Sequence, residues 1–285
     1  MGKILLSALL AFVSLVLIPA PHPSAEELWQ QLPALTPLPE AKQSGYAPVN
    51  GIELYYATYG EGPPLIMLHG GLANTEYFGN QIPVFAKQYT VIAVDSRGHG
   101  RSSRDAKPYS YGLMASDVVA LMDYLKIPKA SIVGWSDGGI IGLDIAMNHP
   151  DRLDKLFAFG ANTNVAGLKP NIDKDPVFSK YIENAGKDYA RLSKTPTEYE
   201  SFVKQISEMW ATQPDYKPEQ LAKIKSPVAI ADGEHDEAIR QEHDVEMANA
   251  IPGAKLIILP GVSHFAFLQN PDMFNKAVLD FLAGS

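Results

Sequence analysis

Short apolar runs that recur along the chain, each followed by a helical pattern, constrain the fold most tightly. PLIMLHG (64–70), YTVIAVDSRG (89–98), KASIVGWS (129–136), KLFAFGA (155–161), PVAIADG (227–233) and AKLIILPG (254–261) are continuous rather than alternating. That is the pattern of strands buried on both faces. GIELYYATYG (51–60) alternates instead, as a strand with one wetter face does. Between these runs lie an amphipathic segment from Tyr111 to Ile127 and DGGIIGLDIAMNHP (137–150), a helix stopped by Pro150. Strand and helix alternate in this way only when a parallel sheet is covered on both sides, so the fold class is α/β.

One stretch departs from that rhythm. From about residue 167 to 226 no buried strand occurs, while DPVFSKYIENAGKDYARLSK and PTEYESFVKQISEMWATQ are helical and separated by prolines. We read it as a small helical cap inserted into the main domain, rather than as ordinary surface helices of the main layer. Ahead of the sheet, Pro33, Pro37, Pro39 and Pro48 break every period, so residues 26–48 are expected to form an extended arm leading into one large domain over 49–285. The first 25 residues pair Lys3 with an uncharged apolar run from Ile4 to Ile18 and then a Pro/Ser/Ala stretch, the layout of a secretory signal peptide. The run is too short to span a bilayer, so export with cleavage near Ala20 to Ala25 is expected over a permanent anchor, leaving the protein periplasmic or secreted.

A net charge of −8 without any Lys/Arg run gives no footprint for nucleic acid. The chain has no cysteine, so disulfides and thiolate catalysis are excluded and a nucleophile must be an oxygen or an amine.

The oxygen that stands out is that of Ser136, in IVGWSDGGIIG. A Gly-x-Ser-x-Gly match alone is weak, but here it sits where a strand turns sharply into a helix. Serine needs a base, and the order Ser, acid, His is met by Asp236 in ADGEHDEAI and His264 in LPGVSHFAF, each just beyond a strand. Asp232 is the main rival for the acid, with Glu234 and Asp244 behind it. His69 and His99, in Gly-rich loops, and His149, at a helix end, suit structural roles better. Backbone N–H groups of Asp137 and of Gly71 or Leu72 are the candidate oxyanion donors. Leu72, Trp135 and Asp137 are the candidate substrate contacts. EHD at 234–236 and again at 242–244 raises a zinc reading, but no H-E-x-x-H pattern accompanies it, so neither metal nor cofactor is expected. Asp137 would favour esters with a positively charged acyl part if it faces the pocket, and would otherwise complement the helix dipole.

The ordered set HGG (69–71), DSRGHGRS (95–102), GWSDGG (134–139), GEHD (233–236) and SH (263–264) resembles the α/β-hydrolase fold superfamily from Gly51 to the C-terminus. Within it the chain is similar to the serine esterase and lactonase branch, and GWSDGG to valacyclovir hydrolase-like enzymes. The resemblance implies an eight-stranded, mostly parallel sheet with helices on both faces, a cap after the sixth strand, the triad Ser136, Asp236 and His264, and an oxyanion hole using Gly71 and Asp137. It also implies hydrolysis of a small-molecule ester or lactone. C–C bond hydrolysis or proline iminopeptidase-like chemistry on the same triad stays open, although the continuation HGGPG is absent. A non-catalytic ligand-binding protein on this fold is the alternative from another class. Which of Phe178, Tyr181, Tyr189, Tyr199, Phe202 and Trp210 turn inward is left open.

Overall fold

The structure, a computed structural model, describes residues 27–284. The expected signal peptide and its cleavage region lie outside the described residues. No helix among the described residues is long and apolar enough to cross a membrane.

Eight strands form one sheet: β1 (Gln43–Val49), β2 (Ile52–Tyr59), β3 (Pro64–Leu68), β4 (Thr90–Val94), β5 (Ala130–Trp135), β6 (Leu153–Phe159), β7 (Val228–Gly233) and β8 (Lys255–Leu259). Their order is β1-β2-β4-β3-β5-β6-β7-β8. β1 and β2 run antiparallel at one side, and every pairing from β4 to β8 is parallel. The helices are α1 (Ile82–Phe85), α2 (Tyr111–Tyr124), α3 (Asp137–Asn148), α4 (Pro176–Leu192), α5 (Tyr199–Trp210), α6 (Pro218–Leu221), α7 (Gln241–Ala250), α8 (Ala266–Gln269) and α9 (Pro271–Ala283).

Alternate residues of the central strands feed two separate cores, as the pleat requires. Ile66, Leu68 and Ile132 join α2 and α3 on one face, whereas Leu65, Met67, Val133 and Trp135 join Phe274, Val278 and Phe281 of α9 on the other. Two faces covered by helices explain the unbroken apolar runs. β8 is the exception: it read as a buried strand, but it closes the sheet edge, where no ninth strand covers it and Leu256 is 41% exposed.

The arm is shorter than the expected 26–48. Gln43–Val49 pairs residue for residue with β2 across a two-residue turn at Asn50 and Gly51, whose φ values of 48° and 85° suit the mirror-image turn that matches strand twist. Pro48 is tolerated because β1 is an edge strand with no partner on its other side. Upstream, Leu32, Leu35 and Leu38 pack against the core while Trp29 stacks on His235 at 4.7 Å.

The chain winds outward from β3 to β4, then returns to the other flank of β3 with β5. This reversal opens a crevice at the carboxyl ends of β3 and β5, the place where open α/β sheets bind ligands. α4, α5 and α6 fill the connection between β6 and β7, and α4 and α5 roof that crevice, as the cap expected over 167–226 would.

Candidate active site

Ser136 is the junction between β5 and α3, with φ 53° and ψ −119°, a conformation costly for any residue but glycine. The surroundings enforce it. Its N–H donates to the Phe159 carbonyl at 2.7 Å, and its own carbonyl accepts from Gly139 and Ile140 at 2.8 and 3.1 Å. A Cβ on Gly134 would lie 2.3 Å from the Gly138 carbonyl oxygen, and one on Gly138 would lie 2.1 Å from that of Leu68. Both motif glycines are therefore steric necessities, and the serine they flank is lifted clear of the sheet.

Asp236 follows β7 in a tight turn. Its Oδ1 accepts the N–H groups of Ala238 and Ile239, both at 2.6 Å, and its Oδ2 lies 2.5 Å from His264 Nδ1. Burial works to raise this carboxyl, but the His264 charge and hydrogen bond outweigh it and hold the group at about 2. Burial likewise pulls His264 down, and the Asp236 carboxylate more than compensates, leaving the imidazole raised. Gly160, at φ 60°, clears room for the ring: a Cβ there would stand 2.8 Å from both Cε1 and Nδ1. Ser136 and His264 line one cavity of about 410 Å³, together with Gly71, Leu72, Trp135 and Asp137.

The HGG loop closes over the serine, since a Cβ on Gly70 would touch the Ser136 Cβ at 3.1 Å. His69 anchors that loop, one ring nitrogen on the Gly70 carbonyl at 2.7 Å and the other accepting the Ser96 N–H at 2.9 Å. Asp137 begins α3, so its N–H has no carbonyl one turn earlier to bond. The DSRGHGRS stretch is scaffold: Arg97 makes a two-pronged ion pair with Asp117 at 2.8 and 2.7 Å, and Asp95 accepts the N–H groups of Thr75 and Arg101.

A sequence profile described as the alpha/beta hydrolase fold matches residues 63–197. Human serine hydrolase BPHL is 31% identical over 253 residues, covering 82% of this chain and 84% of that one. The chain belongs to the α/β-hydrolase fold family. A 2-hydroxy-6-oxo-6-(2'-aminophenyl)hexa-2,4-dienoic acid hydrolase from Metapseudomonas resinovorans is 29% identical, covering 82% and 88% of the two chains. The crystal structure of an enol-lactonase from Burkholderia xenovorans superposes with a TM-score of 0.67 at 27% identity, covering 84% of this hydrolase and 99% of that chain.

In this α/β hydrolase the cap supplies three of the six aromatic candidates. Phe178, Tyr181 and Trp210 line the cavity, and the Tyr181 hydroxyl donates to the Gly71 carbonyl. Tyr189, Tyr199 and Phe202 instead pack on one another, with Tyr189 stacked on Phe202 at 5.0 Å. Asp137 does reach the cavity wall, but its carboxylate is already engaged. It accepts from the Tyr111 hydroxyl at 2.8 Å and from Trp210 Nε1 at 3.1 Å, while burial pushes it up to about 6. Neither donor is visible from the motif, because Tyr111 and Trp210 lie 26 and 73 residues away.

Of the rival acids, Asp232 is the penultimate residue of β7 with its Oδ1 on the Gly233 N–H at 2.7 Å, and it is Asp236 that meets the imidazole. Asp232, Asp236 and His264 gather their polar atoms within 4.8 Å, yet the 2.5 Å contact is hydrogen-bond spacing, shorter than the ~3.3 Å between two ligands of a tetrahedral zinc. In the second EHD, His243 accepts the Thr163 N–H at 3.0 Å and faces Glu246 at 3.0 Å, so both ring nitrogens are occupied. Glu237, which the sequence reading passed over, accepts the backbone N–H of His264 at 3.0 Å.

Proposed function

We propose that this α/β hydrolase cleaves small carboxylic esters or lactones through an acyl-enzyme on Ser136. The reading rests on one observation: a serine in an enforced, strained turn opens into the same cavity as an imidazole whose far nitrogen is held 2.5 Å from a buried carboxylate. Ser136 Oγ attacks the carbonyl carbon while His264 takes its proton, and Asp236 fixes the ring and balances the imidazolium charge. The N–H groups of Asp137 and Gly71 receive the oxyanion. His264 then gives the proton to the departing alkoxide, and a water activated by the same imidazole releases the acid. The mostly apolar wall, including Leu72, Trp135, Phe178 and Ile182, suits a small organic acyl or alcohol part.

The test is labelling with a fluorophosphonate, followed by intact mass, on the wild type and Ser136→Ala. Labelling confined to the wild type supports the reading and selects a panel of esters, lactones, amides and vinylogous diketones, in which C–C cleavage or peptidase activity would displace ester hydrolysis. A folded wild type that does not react points to the ligand-binding alternative.

The Asp137 carboxyl at the cavity wall favours a cationic acyl part. Asp137→Asn keeps the backbone donor, so an unchanged ratio of amino-ester to neutral-ester turnover would remove that preference. Export is tested by N-terminal sequencing of the mature chain, with a new terminus expected between Ala20 and Ala25.

A further inference from the structure

Three buried carboxyls crowd the imidazole end of the triad. Asp236 is one; Asp232, next to last in β7, and Asp244, on α7, are each only 1% exposed. An Asp232 carboxyl oxygen lies within 4.8 Å of both an Asp236 carboxyl oxygen and a His264 ring nitrogen, and the Asp244 carboxyl is a further acidic neighbour. Two carboxyls this close in a dry pocket do not both stay ionised, so one of them keeps a proton.

The donors around each group show where that proton sits. Asp236 receives two backbone N–H groups on Oδ1 and the imidazole on Oδ2, a set that fits a full negative charge. Asp232 receives a single N–H, from Gly233 on Oδ1, which leaves its second oxygen to carry hydrogen. Neither oxygen of Asp244 meets a donor. The other charged groups facing the cluster are Glu237, on the His264 N–H, Asp137, which faces the imidazole, and Lys169, whose ammonium donates to the Asp236 backbone carbonyl at 2.5 Å rather than to a carboxylate.

We propose that Asp232 stands as a neutral carboxylic acid whose O–H hydrogen-bonds the Asp236 carboxylate, making it a positioning residue that sets the basicity of His264. Burial and the neighbouring Asp236 and Asp244 charges push Asp232 well up, and burial raises Asp244 to about 7, in agreement with that assignment. The role builds on the ester hydrolysis proposed above. When His264 takes the serine proton, Asp236 stabilises the imidazolium. An O–H on Asp236 draws off part of its charge, so the imidazolium holds its proton less tightly and returns it to the leaving group.

The experiment is the pH dependence of kcat/KM for p-nitrophenyl acetate in wild type, Asp232→Asn and Asp232→Val. Asparagine retains an N–H donor and should leave the acid limb in place. Valine removes the donor, and the limb should move up by about one pH unit. Thermal unfolding of both variants separates this from a structural role, which would lower Tm without moving the limb. An unmoved limb in Asp232→Val overturns the proposal. Should that variant fail to fold, the 13C carboxyl shift of Asp232 in the wild type at pH 8 decides the matter: a protonated carboxyl supports it, an ionised one overturns it. A wild type that neither hydrolyses the ester nor takes the fluorophosphonate defeats the esterase reading and the catalytic role together, while the 13C shift still reports the proton.

Discussion

Gly160→Ala separates the cost of a strained backbone from that of a displaced His264 imidazole. Gly160 has φ 60°, and an added Cβ would stand 2.8 Å from His264 Cε1 and Nδ1 but 3.5 Å from Asp236 Oδ2. The carboxylate is already at ordinary contact distance, so the ring alone must retreat, by about 0.6 Å. Gly253 serves as the control, with φ 73° and nothing within 4 Å of its added Cβ. Left-handed backbone costs an alanine ~1–2 kcal/mol, offset in part by the ~0.4–1 kcal/mol that alanine saves in the unfolded chain. Both variants should therefore lose about 1 kcal/mol, a Tm decrease of roughly 2–4 °C for a chain of this size. Only Gly160→Ala should lose activity, and a displacement of this size is worth about 10- to 100-fold in kcat/KM. The assays are ester turnover and the rate of fluorophosphonate labelling beside a thermal melt. Wild-type turnover in Gly160→Ala would refute the placement of the imidazole against this glycine, and equal activity losses in both variants would refute the separation of strain from contact.

Glu237, which accepts the His264 N–H, is pushed by burial to about 7, so between pH 4.5 and 7 the folded state binds a proton that the unfolded state has released. Its stabilising contribution is thus present at low pH and lost as pH rises through that window; Glu237→Gln should flatten the fall in unfolding free energy by ~1 kcal/mol per pH unit, measured by urea titrations at pH 5 and 7, and identical slopes would contradict it. Trp29→Ala removes the ring stacked on His235, next to Asp236, and should cost about 1 kcal/mol with a Tm lower by roughly 2–4 °C. An unchanged melt would mean that the arm adds nothing to the loop it covers.

The sheet was legible because its central strands are covered twice over. Helices on both faces leave no polar alternation in PLIML or ASIVGW, and a run of that kind has few other uses. The serine was legible for a steric reason, since only glycines fit at 134 and 138 once β5 must turn into α3 against β3. What escaped depended on neighbours that sequence spacing does not reveal. β1 was hidden by Pro48 and the prolines before it although Asn50-Gly51 is a strong hairpin signal, because edge strands tolerate what central strands reject. β8 looked buried because its side chains are apolar, yet burial is decided by what lies beside it. In the cap, Tyr181 and Tyr189 lie on one face of α4, eight residues apart, and diverge only because one meets the cavity and the other meets α5.

The buried carboxyls show how such a gap can be narrowed. GEHDEAI, just beyond the strand PVAIADG, is charge-rich, and a charge-rich stretch is usually solvated. Asp232, however, falls within β7, whose preceding four residues are all apolar and buried. Asp137 and Asp144 interrupt the apolar α3 in the same way, and each has found side-chain donors: Tyr111 and Trp210 for the first, Asn148 and Tyr216 for the second. A carboxyl in an apolar run must bring a donor or keep a proton, because neither core supplies water to solvate it. Asp137 and Asp144 took the first course. Asp232, with one backbone donor and two acidic neighbours, has only the second open to it, which is why the break in the β7 pattern leads to the imidazole rather than to solvent.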